Sequence, residues 1–412
     1  MDRPTHTVAT TTGPRWTMIG AGAALVGTCY GLARFAYGLF LPEFSKEFAI
    51  GSAISGLIGA GSYVGYCLAI VASLLLTPRW GPRTVAVLAG LVATAGLSIV
   101  AASTSAPMLA VGILIAGSST GIASPPLAAA VDAWVRSDVR DRGQTIINAG
   151  TGLGVLVSGP VAMILLDQWR PAWVGFAVVA ALVTCWAYRV VPAGPADSDA
   201  TNKDGAAHSQ EESTGRLQLA PGTWRLLAGS FVMGLGSIAI WGFGRDLLTT
   251  QADVSTLGAA IVWTILGAAG ILGAFGGDVV RRVGLGAAWV ALMLAMGAAT
   301  ALFALAPGTY AVVFTASAMF GASYIGLTSV VLLWSTRLYP ARPSFGVGLP
   351  FFTIAAGQAV GSPLVGQLIG TSSVTFVFYA WAGLGLLGAI AGPASASALR
   401  KEVMTGEPNR SV

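Results

Sequence analysis

Charge is what this sequence has least of. Only 9% of its 412 residues are Asp, Glu, Lys or Arg, against 55% apolar residues, and the mean hydropathy is +0.75. A soluble domain carries about 25% charged residues, so this composition cannot clothe a 41.7 kDa chain in a water-facing surface. Histidine is nearly missing: His6 and His208 both fall in polar stretches, which excludes a histidine-based metal or catalytic centre within the apolar part of the chain. The three cysteines, Cys29, Cys67 and Cys185, sit in apolar runs without the spacing of a disulfide framework or a zinc site. Phosphate-binding glycine loops and the Gly-x-Ser-x-Gly nucleophile turn are also lacking. ATP-driven work by this chain alone is thereby excluded. No enzyme activity, cofactor, metal or nucleic-acid partner is expected.

What the chain has instead is length in apolar runs. Stretches of about 20 residues, enough to cross a hydrocarbon core of roughly 30 Å, recur near 17–41, 52–76, 84–103, 107–133, 143–166, 171–191, 223–248, 256–280, 285–305, 308–334, 344–369 and 373–398. No alternating pattern points to a barrel. The first run is too long for a cleaved signal and carries Arg34 and Tyr37. An all-α integral membrane protein of twelve transmembrane helices follows, with the lipid bilayer as its surroundings and a monomer as the expected state.

The cations fall on one side. With the N-terminus in the cytoplasm, 18 of the 22 Lys and Arg lie in the two tails and the even-numbered connections. Lys46 and Arg170 lie opposite, and Arg34 and Arg245 lie within runs. Both termini are therefore expected in the cytoplasm, with the protein in the cell membrane. Residues 192–222 are polar and rich in Gly, Pro, Ser and acids, the composition of a flexible linker. They divide the chain into 1–191 and 223–412, six runs each. The halves also echo one another: Ser52 and Ser255, Gly81 and Gly284, Gly143 and Gly346, Gly154 and Gly357, and Pro160 and Pro363 all share an offset of 203 residues. Two parallel six-helix repeats about an axis along the membrane normal describe a transporter architecture.

Three local strings carry a resemblance to the major facilitator superfamily that covers the whole chain. Residues 75–83, LLTPRWGPR, resemble its loop signature G-x-L-x-D-R-x-G-R-R, with Arg79, Gly81 and Arg83 matching but Pro78 in place of the Asp. The second-half counterpart, residues 277–284, has Asp278 displaced. Residues 150–160, GTGLGVLVSGP, resemble the glycine-rich fifth-helix motif of the superfamily's exchangers, and include Gly154 and Pro160. The resemblance implies a gating part for Arg79, Gly81, Arg83, Asp278, Gly154 and Pro160; topology-setting cations and simple small-residue packing are the alternatives. Residues 30–42, YGLARFAYGLFLP, are similar to the YbfB/YjiJ-type branch and to the first helix of organophosphate:phosphate antiporters, in which two arginines hold the substrate phosphate. Gly242-Phe243-Gly244-Arg245 aligns with Gly31-Leu32-Ala33-Arg34 under an offset of 211. The implied fold is two pseudo-symmetric six-helix bundles, the major facilitator fold.

Arg34 lies eight residues, about 12 Å of helix, inside Pro42. A guanidinium that deep is costly unless it faces a wet cavity or a partner. Arg245 has Asp246 beside it, so an ion pair is the alternative to substrate binding there. Tyr30 and Tyr37, at i−4 and i+3, share the face of Arg34 on a regular helix. Tyr63, Tyr66, Asn148, Trp241, Tyr324 and Gln358 are further substrate-binding candidates, with packing as the bland alternative for each. Ser124-Pro125-Pro126 is expected to break the fourth helix. Asp132, Asp167, Asp246 and Asp278 all fall toward the ends of runs. A coupling proton would have to use such a peripheral acid, Asp132 for example, or the substrate's own ionisation. The expected function is secondary transport of a small organic anion, a carboxylate or organophosphate, by alternating access. Proton-coupled efflux of lipophilic compounds and a non-transporting membrane sensor are the alternatives.

Overall fold

The computed structural model describes residues 15–165, 168–194, 219–340 and 342–393, and almost all of them are helical. The helices are α1 (Trp16–Phe48), α2 and α3 (52–80 and 82–101), α4 (Ala106–Trp134), α5 (Arg140–Ile164), α6 (Trp169–Val190), α7 (Thr223–Thr250), α8 (Thr256–Val283), α9 (Leu285–Leu305), α10 (Tyr310–Leu338), α11 (Pro343–Thr371) and α12 (Val374–Ala391). Most of the linker 192–222, with Asp167 and both histidines, lies outside the described residues.

Helices α2 and α3 form one helical run, Ser52–Ala101, broken at Gly81, where φ is 77° and ψ 158°. Gly284, between α8 and α9, has φ 85° and ψ 160°. The two glycines thus make the same left-handed turn at the same place in each half. The repeat extends to packing. A methyl group on Gly154 of α5 would strike the backbone of α1 at Gly27 and Gly31, and one on Gly357 of α11 would strike α7 at Phe231 and Leu235. Glycine lets both pairs of backbones approach closely.

Helix α4 runs unbroken through Pro125 and Pro126, contrary to the expected break. Pro126 leaves the Ile122 carbonyl without its helical donor. The Ser73 hydroxyl of α2 supplies one at 3.0 Å, so a neighbouring side chain replaces the missing bond.

The halves meet along two seams. A Cβ on Gly152 of α5 would come within 2.8 Å of Gly270 on α8, and one on Gly56 of α2 within 2.6 Å of the Ser362 carbonyl on α11. The second seam lies at the end of the bundle opposite the cation-rich connections. Between the seams, at mid-depth, is a cavity.

Candidate functional site

The cavity begins with a distortion of α1. Residues Gly27–Phe35 wind as a π-helix, and α-helix resumes at Ala36. Such wide turns are frequent at functional sites. They also rotate side chains away from regular spacing, which separates Tyr30 from Tyr37. Tyr30 stays with Arg34. The Tyr37 hydroxyl instead donates to the Ser55 carbonyl at 2.9 Å, and its ring stacks near Phe44; the expected shared face is not formed.

Arg34 is 4% exposed. Its guanidinium carbon lies 4.5 Å from the ring centre of Tyr63, 4.8 Å from Tyr66, 5.0 Å from Phe35 and 5.7 Å from Tyr30. Such contacts are worth about 0.5–2 kcal/mol each, but they do not neutralise a charge. It donates to the neutral Gln358 Oε1, across the boundary between the halves, and its Nε has no partner among the described residues. None of the ion pairs among the described residues includes Arg34. Gln358 is fully buried and donates its amide to the Ser237 hydroxyl at 3.1 Å and the Tyr324 hydroxyl at 3.2 Å. Three second-half helices therefore hold the group that covers Arg34.

The cavity is tight and leaves room for the centre of only about one water molecule. Tyr30, Arg34, Tyr66, Asn148 and Tyr324 line it, as do Thr151, Thr328, Ile325, Phe351 and Ile354, which sequence reasoning passed over. Neutral helix-borne residues of that kind carry no signal until the helices are assembled. The Tyr30 hydroxyl bridges Tyr66 at 3.0 Å and Ser124 at 2.7 Å. Trp241 stands behind the lining, stacked on Phe35 with ring centres 3.8 Å apart.

Arg245 is elsewhere. It is 2% exposed and makes a two-pronged ion pair with Glu43 on α1, one contact at 2.6 Å, while also donating to the Leu39 carbonyl. Its partner is Glu43, not the adjacent Asp246, and it does not line the cavity. Its alignment with Arg34 is also corrected. The contacts of Gly154 and Gly357 pair residues 27 and 31 with 231 and 235, an offset of 204. The counterpart of Arg34 is then Ser237 or Ile238, and Arg245 lies seven or eight residues beyond, about 11 Å along the helix. Glu43 was missed because no motif contains it; the signal was a buried arginine in need of a carboxylate.

Among the proposed gating residues, Arg83 and Asp278 make polar contacts within their own halves, and Gly81 turns beside Gly194. Arg83 Nε donates to the Val191 carbonyl at the end of α6 at 2.6 Å, Arg79 is exposed, and Asp278 pairs with Arg281. Gly154 joins α5 to α1, and Pro160 is exposed. Asp132 pairs with Arg140 at 2.7 Å. The contacts that join the halves include Arg34–Gln358, Glu43–Arg245, Asn148–Thr328, Ser344–Pro125, the Phe35–Trp241 stack and the glycine seams.

The sequence profile of the Major Facilitator Superfamily matches residues 23–349. A relative from Pseudomonas aeruginosa named transcription regulatory protein OpdE is 24% identical over 339 residues, covering 81% of this chain and 83% of that protein. Among solved structures, the proton:xylose symporter XylE superposes with a TM-score of 0.71 at 14% identity, covering 91% of this chain and 94% of the other. The human organic anion transporter MFSD10 gives 0.68 at 17% identity, with 92% and 100% covered.

Proposed function

This chain belongs to the Major Facilitator Superfamily, is a multi-pass membrane transporter and not an enzyme, and from that premise we propose that its cargo is a small organic anion carried by alternating access. The observation behind this reading is that Arg34 has no counter-ion among the described residues. A buried charge without a partner is costly. An anion arriving in the cavity would supply the missing charge, and a guanidinium fork matches a carboxylate with two parallel bonds. Gln358 occupies that place in this structure. Its amide oxygen imitates one carboxylate oxygen without the charge, so cargo can displace it.

The six-helix halves 1–191 and 223–412 would rock about the cavity, with 192–222 joining them. The cation bias supports cytoplasmic termini and the cell membrane. The Glu43–Arg245 pair would then close the outer side, and the cavity would exchange with the cytoplasm when the inner ends of the helices part. The test is binding of a carboxylate panel to purified protein, read as thermal stabilisation. Arg34→Lys keeps the charge and loses the fork, so it should fold and lose the shift. A folded Arg34→Lys protein with an unchanged shift would sink the anion reading.

The name of the Pseudomonas aeruginosa relative favours a second reading, a sensor that binds an anion without moving it. Flux in proteoliposomes separates the two, because a sensor would show the same binding and no uptake.

A further inference from the structure

The remaining cavity groups narrow the chemistry of the anion. Arg34 is the cavity's one cation. The second buried cation, Arg245, is occupied by Glu43 and the Leu39 carbonyl. One negative charge is therefore matched and a second is not. No carboxylate lines the cavity either, so an ammonium group on the cargo would lose its water without a counter-charge.

The far wall asks for a donor. The Thr328 hydroxyl gives its hydrogen to the Ile325 carbonyl at 2.8 Å, and the Ser329 hydroxyl gives its hydrogen to the Gly273 carbonyl at 3.0 Å. Both hydroxyl oxygens can then only accept. That fixes the orientation of the Asn148 amide, whose nitrogen donates to Thr328 Oγ1 at 2.8 Å and to Ser329 Oγ at 3.0 Å. Asn148 Oδ1 is thereby turned from α10 and accepts no hydrogen bond among the described residues. The hydroxyl of Thr151 is a further polar group of the lining. An open acceptor in a cavity that lacks negative charge suits a neutral donor, and a hydroxyl is the simplest.

Resting on the proposed anion transport, we infer that the cargo is a small monocarboxylate bearing a hydroxyl group, with its carboxylate on Arg34 in place of Gln358 and its hydroxyl donating to Asn148 Oδ1. A site that hydrogen-bonds a hydroxyl rejects the analogue lacking it, because its own polar group is then left unpaired.

The test uses the purified full-length protein and matched pairs of probes: lactate and propionate, 3-hydroxybutyrate and butyrate, gluconate and hexanoate. Succinate, glycerol 3-phosphate and 3-aminobutyrate vary the charge. In at least one pair the hydroxy acid should bind at least about tenfold tighter than its deoxy analogue, and tighter than all three charge variants. Asn148→Leu should bring that ratio close to one, and Thr151→Val should narrow it less. Anion binding with no preference for the hydroxy acid in any pair would overturn the inference and leave the anion reading standing. Tightest binding of succinate or glycerol 3-phosphate would overturn its monoanion part, and tightest binding of 3-aminobutyrate its hydroxyl part. No binding of any probe would overturn the anion reading beneath it. An unchanged ratio in folded Asn148→Leu would overturn the assignment of Asn148. Should that variant not fold, the wild-type series decides alone.

Discussion

Arg34 and Arg245 are both buried guanidiniums on the first helix of their halves, yet their surroundings are opposite. Arg245 has a carboxylate, Glu43, and a backbone carbonyl, Leu39, so its charge is answered from within the protein. Arg34 has four aromatic rings and one amide oxygen. One arginine is a clasp between helices. The other is a charge left open. The halves share backbone turns and close glycine contacts, but the two arginines occupy different depths.

The largest expected effect concerns ligand. Truncating one member of a buried hydrogen-bonded charge pair costs about 2–5 kcal/mol. Arg34→Ala should therefore weaken binding of a responding carboxylate by at least about 25-fold, as 1.4 kcal/mol is tenfold. Arg245→Ala should change it by less than about tenfold wherever the protein folds. Calorimetric titration of both variants checks the contrast. Equal losses would mean that both arginines hold cargo and that the Glu43 pair opens to admit it.

The second effect is on stability without ligand, and there the order reverses. Arg245→Leu strands Glu43 without its cation. Breaking a buried pair costs about 3–5 kcal/mol, and the lower end applies because Glu43 keeps some contact with solvent, at 18% exposure. Arg34→Leu removes a charge that has no counter-ion, so it should leave thermal stability unchanged or raise it. A large destabilisation by Arg34→Leu would show that the aromatic cage and Gln358 compensate the charge in full. The case for an absent anion would then fail.

These contrasts show how far the sequence carried. Helix number followed from apolar length, because nothing else in a bilayer satisfies the backbone. The repeat followed from glycines and a proline at one offset, because close helix contact and left-handed turns admit little else. Arg34 stood out because a deep cation needs a reason. The arrangement around it was not legible. The π-turn over Gly27–Phe35 shifts side chains off regular helical spacing and carried Tyr37 out of the site. The Gly-x-x-Arg likeness misled because it compared letters, whereas the register of α1 against α7 is fixed by where Gly154 and Gly357 touch them. Glu43, Asn148 Oδ1 and Thr151 gain meaning only from partners on other helices.

A smaller effect tests the clasp itself. Glu43→Gln keeps hydrogen bonding to Arg245 but removes the charge, so the end of the bundle near Ser362 should part more often. Ser362 is buried against α2, with its hydroxyl on the Gly56 carbonyl at 2.9 Å. With Cys29, Cys67 and Cys185 replaced by Ser, a cysteine substituted at 362 should react faster with a membrane-impermeant thiol reagent when Glu43→Gln is added. No change in rate would show that the glycine seam between α2 and α11 closes that end without help from the ion pair.

The smallest contrast returns to the feature that the halves share most closely. Gly81 and Gly284 have nearly the same backbone angles, in a region that is essentially open to glycine alone and costs other residues about 1–3 kcal/mol. That strain should be common to Gly81→Ala and Gly284→Ala. Their surroundings differ. A Cβ at Gly284 meets open space, whereas one at Gly81 comes within 2.8 Å of the Gly194 carbonyl oxygen, where the chain leaves α6. Arg83 holds the same place by its bond to the Val191 carbonyl. Gly81→Ala must therefore push the end of α6 aside as well as strain its own backbone, and crowding of that kind adds about 1 kcal/mol. Thermal unfolding of the two variants should show both destabilised, with Gly81→Ala the lower. Equal losses would mean that the segment at Gly194 yields freely and that the first-half turn is held by its own backbone alone. A greater loss at Gly284 would show that the second-half turn has a partner when the protein is folded in its bilayer, and that the resemblance between the two turns ends at their angles.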